Sequence, residues 1–158
     1  MNKSWLNWIW VPVFVALMLM LSRCGQKDSG PASGTFSHVY TVTLKTACIE
    51  CHVPTGAATV SNGVTLDFST QAKAYSTLTG SVVTGQTSSG ICANVKIVTA
   101  SDLAKSYLAA VLFSDYNISN FAGKTGCSPD TTHLSRENLS AAEKTSITTW
   151  ITNGAKND

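Results

Sequence analysis

Beyond Met20 the chain contains no methionine, so no thioether is available to the rest of it. Charge is sparse too: 13% of the 158 residues are charged, and the formal net charge is +2. No basic run stands out, which excludes the electrostatic footprint of a nucleic-acid binder. No acidic run stands out either. Histidine occurs only at positions 38, 52 and 133. There is no internal repeat. What is plentiful is Thr, Ser, Ala and Gly, a composition suited to a small exported domain with long loops. The length suits one domain with a modest core.

The N-terminus stands apart. MNKSWLNWIWVPVFVALMLMLSRCG has a short n-region with Lys3, then an apolar run from Trp8 to Leu21. That run of about 14 residues suits a signal-peptide h-region better than a membrane span. LSRC at 21–24 then resembles a bacterial lipoprotein signal, which implies lipidation of Cys24; Arg23 departs from the small residue usual there. An uncleaved N-terminal anchor with Cys24 free is the alternative. Simple secretion is a third reading; in the first two the domain is tethered to a membrane outside the cytoplasm, in the periplasm or at the cell surface. Residues 1–23 read as the signal and 24–36 as a Gly/Ser-rich tether. Residues 37–158 then form the domain, which begins near Phe36.

Local patterns predict a mostly helical domain. Residues 37–47 are ambiguous, because their β-branched residues favour a strand. Ser69 or Thr70 can cap a short helix through about Thr79, ended by Gly80. Two β-branched runs, SVVT and VKIV, lie in a loop over 80–98 that can hold a small hairpin. Thr99 and Asp102 resemble a capping box for a helix with Leu103, Tyr107, Leu108, Val111 and Leu112 on its apolar face. Residues 114–138 form a long loop, a length that hints at a binding role. Ser140 and Glu143 form a capping box for a final helix with Ile147, Trp150 and Ile151 on one stripe, stopped by Gly154.

The most informative stretch is TACIECHVP, residues 46–54. A CxxC can be a redox dithiol, but that needs a strand-rich context this chain does not offer. Zinc wants four protein ligands, and the remaining candidates, Cys92, Cys127, His38 and His133, are scattered. Haem attachment fits better. Thiols at Cys48 and Cys51 reach the two vinyl groups on one porphyrin edge, and His52 comes under the ring as an axial ligand. Cysteine counting then closes. With Cys24 lipidated and Cys48 and Cys51 on haem, Cys92 and Cys127 remain, and an exported compartment favours a disulfide between them. Two separate buried thiols are the alternative.

CIECH at 48–52, VTLDFST at 64–70, SDLAKSYLAAVLF at 101–113 and LSAAEKTSITTWITNGA at 139–155 together resemble the monohaem c-type cytochrome domains of bacterial lipoproteins. The resemblance spans roughly 38–155. It implies an all-α, cytochrome c-like fold with long loops, first and last helices packed across each other, and one covalent haem c. It implies Cys48 and Cys51 as the attachment sites, His52 as the proximal ligand, and Leu66 and Phe68 as walls of the pocket. Trp150 and Ile147 read as ordinary core, and Glu50 as solvent-facing.

The family's usual distal ligand is a methionine before the last helix, and the mature domain has none. His133, six residues before Leu139, stands about where that methionine would. His38 would lie about 15 Å up the first helix from Cys48, Lys124 is a remote third choice, and an open sixth site is the remaining possibility. Cys127, six residues before His133, would brace the ligand loop through its bridge to Cys92.

The expected function is single-electron transfer between redox partner proteins, with membrane contact through the N-terminal lipid or anchor and no enzymatic step. A haem-based sensor or peroxidase-like enzyme with an open iron, or a structural surface module, are the alternatives. Lys3 and Arg23 precede Cys24, which leaves nine of the 11 basic residues against nine acidic ones. The mature domain therefore has no strong steering field.

Overall fold

A computed structural model describes residues 33–54, 60–61, 64–83, 86–87, 90–131, 133–134 and 139–158. The residues read as signal and lipidation site, 1–24, and most of those read as tether lie outside the described residues. Among the described residues no helix is long and apolar enough to cross a membrane.

The domain is helical. Helix α1 (Phe36–Val39) is capped by Thr35, whose Oγ1 accepts the His38 N–H, and it continues without a break as a π-helix, Tyr40–Cys48. This is the stretch whose β-branched residues argued for a strand. Two hydroxyls explain how a wide helix accommodates them: Thr41 Oγ1 donates to the Ser37 carbonyl at 2.8 Å and Thr46 Oγ1 to the Val42 carbonyl at 2.6 Å. Such back-bonding from Thr is known to bend helices. Burial of Phe36, Val39, Tyr40 and Leu44 then overrides propensity.

Packing begins earlier than residue 37. Phe36 is fully buried, 4.9 Å from the Trp150 ring and 5.1 Å from Tyr75. Gly34 has φ +91°, and a Cβ there would lie 2.6 Å from Thr149 Cγ2. Residues 33–36, read as tether, are therefore part of the packed unit.

The tiny antiparallel ladder β1–β2 (Val60–Ser61 with Val64–Thr65) precedes α2 (Gln71–Gly80). Thr70 caps α2, accepting the Lys73 N–H. Just ahead of it, Asp67 accepts the Ser69 N–H at 2.9 Å and pairs with Lys73 at 3.0 Å. The hydrogen bonds from Ser69, helped by Lys73, lower its pKa from 3.8 to about 2. A depressed carboxylate pKa stabilises the fold above the ordinary value, and that contribution is lost as pH falls through about 2. Asp67→Asn should therefore lower the melting temperature at neutral pH, with the gap to wild type closing as pH drops from 3.8 to about 2. Thermal melts at stepped pH would read this, and a gap constant across that window would refute it.

A second short ladder, β3–β4 (Gln86–Thr87 with Gly90–Ile91), tips the hairpin in which the two β-branched runs pair: Val83 donates to the Val95 carbonyl at 2.8 Å. The hairpin leads into Cys92, which is disulfide-bonded to Cys127 with Cα atoms 4.7 Å apart.

The helix expected from Thr99 starts later and is split. Asp102, not Thr99, caps a 3₁₀ turn at Leu103–Lys105, and α3 proper runs Tyr107–Leu112. Ser106 makes the break. Its hydroxyl accepts the Thr99 N–H at 2.9 Å and lies 2.7 Å from the Asp102 carbonyl, so it offers the backbone a local alternative to helix. The expected apolar face survives: Tyr107, Leu108 and Leu112 are buried.

Two 3₁₀ turns, Ser114–Tyr116 and Phe121–Gly123, punctuate the long loop. Helix α4 (Ala141–Thr152) opens on the expected Ser140–Glu143 capping box and ends before Gly154, at φ +97°. It packs on α1 through Trp150 and buries Ile147 and Ile151. Such side chains each contribute about 1.5–3 kcal/mol on burial.

Candidate cofactor site

The CIECH segment is a tight turn continuing the π-helix. The Cys48 carbonyl accepts the Cys51 N–H at 3.3 Å and the His52 N–H at 3.0 Å. Both thiols are outside any disulfide; Cys48 is half-buried and Cys51 exposed. Glu50 is exposed, as expected.

His52 points inward and is only 5% exposed. Its position is fixed from the main chain: the Phe68 N–H donates to the His52 carbonyl at 2.7 Å, and Tyr40 Oη donates to the Phe68 carbonyl at 3.3 Å. The Phe68 ring then lies 5.2 Å from the imidazole. The π-helix, the motif and the segment before α2 are thereby clamped together.

His52 opens onto a partly enclosed cleft, the concave, mostly apolar kind of surface in which cofactors sit. Leu44, Leu66, Phe68, Ile97, Leu108 and Leu112 make it apolar. Leu66 and Phe68 thus stand where the resemblance put them. Trp150 and Ile147 belong to the core and not to the cleft wall. Cys48 lies on the lining, and so do the polar Thr43, Tyr107 and Asp130.

His133 lines the same cleft. Its ring centre is 6.0 Å from that of His52, with the two planes 21° apart. Its Nδ1 is buried and has no hydrogen-bond partner among the described residues. The other candidates lie elsewhere. His38 sits in the first turn of the domain and does not line the cleft. Lys124 Nζ donates to the Ala93 carbonyl, beside the disulfide.

These residues fit a flat apolar group carrying a metal at its centre. Two imidazoles bonded to opposite sides of one metal ion at about 2 Å each have ring centres about 6 Å apart. Among the described residues no three His, Cys, Asp or Glu side chains gather to hold a metal ion. A tetrahedral zinc site takes four ligands from the chain, whereas a metal already held in a ring needs only an axial pair.

Thr43, Asp130 and Asn117 were not singled out as site residues by sequence. Thr43 is buried on the lining, its Oγ1 unpartnered among the described residues, and its one signal is its place five residues before Cys48. Asn117 carries no local signal; its Nδ2 donates to the Ala110 carbonyl and lies 3.5 Å from the Pro129 and Asp130 carbonyls, on the approach to His133. Comparison with family models, curated proteins and solved structures returns no match for this chain.

Proposed function

We propose that this chain is a monohaem c-type cytochrome, tethered to a membrane outside the cytoplasm, that carries single electrons between proteins. The observation that carries the reading is the pair of imidazoles, His52 and His133, facing each other 6.0 Å apart across an apolar cleft with Cys48 on its lining. Cys48 and Cys51 would hold one haem c through their sulfurs, and His52 and His133 would take its two axial positions. When bound, that group supplies a one-electron ferric/ferrous couple.

The chain's own part is to hold and to exclude. The Phe68 and Tyr40 bonds keep the His52 backbone in one place, so its imidazole is oriented before anything binds. The apolar walls would limit water in the cleft, and with His52 and His133 both holding the group a small molecule would have no ready place to bind. Replacing a thioether by an imidazole favours a lower potential than that of a His/Met cytochrome. A lipid on Cys24, or the apolar segment before it, would provide the tether.

The test is the absorption spectrum of the domain produced with haem c maturation: oxidised, reduced, and reduced under carbon monoxide. The expected result is a low-spin spectrum unmoved by carbon monoxide, with the haem retained on denaturation. A high-spin spectrum that shifts with carbon monoxide would favour a sensor or peroxidase-like role. Absence of covalent haem would overturn the reading.

A further inference from the structure

A histidine that binds a metal is normally oriented through its second ring nitrogen, which bonds to a carboxylate, carbonyl or water. His133 Nδ1 is buried without such a partner among the described residues. Its place therefore depends on the backbone that leads to it.

That backbone is tied down by two side chains. Asn117 is half-buried, and its Nδ2 donates to the Ala110 carbonyl of α3 at 2.8 Å. The same nitrogen lies 3.5 Å from the consecutive carbonyls of Pro129 and Asp130. All three neighbours are acceptors, so only the amide nitrogen can face them; the amide oxygen would be repelled. A second tie runs from the Asp130 N–H to Tyr107 Oη, also on α3, at 3.4 Å. Pro129 is fully buried between these ties. Residues 129–130 are thus fastened to the helix that walls the cleft through Leu108 and Leu112, three residues before His133.

The geometry points to Asn117 as a positioning residue for His133: its carboxamide fastens the 129–130 carbonyls to α3 and thereby keeps the second imidazole facing His52. This rests on the reading of His133 as an axial ligand. Asn117→Asp is the sharp variant, because it keeps the shape, removes the donor and sets a carboxylate against three carbonyls. Tyr107→Phe removes the second tie with little change in packing.

The experiment uses the haem-loaded chain, with absorption spectra, carbon monoxide uptake and a melt for each variant. Asn117→Asp should gain a high-spin fraction and take up carbon monoxide at least about tenfold faster than wild type, in line with the usual cost of losing a supporting contact at a metal. Added imidazole should restore the low-spin spectrum, which a merely unfolded protein would not allow. In a His133→Ala background the same change should add nothing. Tyr107→Phe should move in the same direction by less, and it decides the matter if Asn117→Asp does not fold. A low-spin wild type that opens in His133→Ala but in neither Asn117→Asp nor Tyr107→Phe overturns this inference alone. A wild type with no low-spin spectrum overturns the proposed function and this inference with it.

Discussion

His133→Ala should convert a low-spin spectrum that ignores carbon monoxide into a high-spin one that carbon monoxide shifts. The effect is expected to be close to complete, because no second candidate stands near enough to substitute. His38 does not line the cleft, Lys124 is engaged with Ala93, and no methionine follows Met20. The fold should survive. His133, helical with Leu134 inside what was expected to be loop, is half-buried and outside the hydrophobic core, so the apoprotein should lose no more than about 1 kcal/mol. His133→Met should close the site again and raise the midpoint potential, since thioether ligation favours the reduced iron. Redox titration of the three proteins checks both statements. A low-spin His133→Ala spectrum would remove His133 from the ligand set.

Removing the disulfide with Cys92→Ser and Cys127→Ser together should cost about 3–4 kcal/mol, from the loop-closure entropy returned to the unfolded chain. Both sulfurs belong to fully buried residues, so two buried hydroxyls add to that cost. Against a total stability of about 5–15 kcal/mol this is a large share, and the melting temperature should fall by roughly 10 °C or more. The bridge joins the hairpin of the two β-branched runs to the loop carrying Asn117 and His133, and the Phe121 N–H donating to the Cys127 carbonyl at 3.0 Å knits that loop locally. Cys92→Ser alone should therefore also loosen the second ligand and admit carbon monoxide. A bridge-free protein with an unchanged melting temperature would refute the stability claim. An unchanged spectrum in Cys92→Ser would refute the brace.

What could be read in the sequence was what is local. The Ser140–Glu143 box and the Thr70 cap each lie within four residues of the backbone groups they satisfy, so the chain announces them. The CIECH turn is equally self-contained. The Cys92–Cys127 pairing was legible for another reason: counting left no other partner. Elements set by distant groups were harder. The start of α3 turned on Ser106, whose hydroxyl reaches back to Thr99 and Asp102. The first helix has strand-like propensity and owes its form to burial against Trp150 and Tyr75. Phe36 looked like the edge of a tether because its neighbours are polar, yet it fills the centre of the helix packing. Asn117 could not be read at all, since its carbonyl partners are 7, 12 and 13 residues away. His133 stands where the resemblance puts the family's methionine, and its distance from His52 needed the fold.

The π-helix ahead of the motif carries a constraint on residue number. On a helix with i→i+5 bonding, residues five apart share a face, and here Thr43 and Cys48 both reach the cleft lining. On an α-helix the same two positions would point about 140° apart. Deleting one residue between them would act as a rotation as well as a shortening: everything upstream would turn by roughly 80° relative to Cys48, one residue's share of the wider π turn, carrying Phe36, Val39 and Tyr40 off the core. Along Tyr40–Cys48 the number of residues is as much a constraint as their identity.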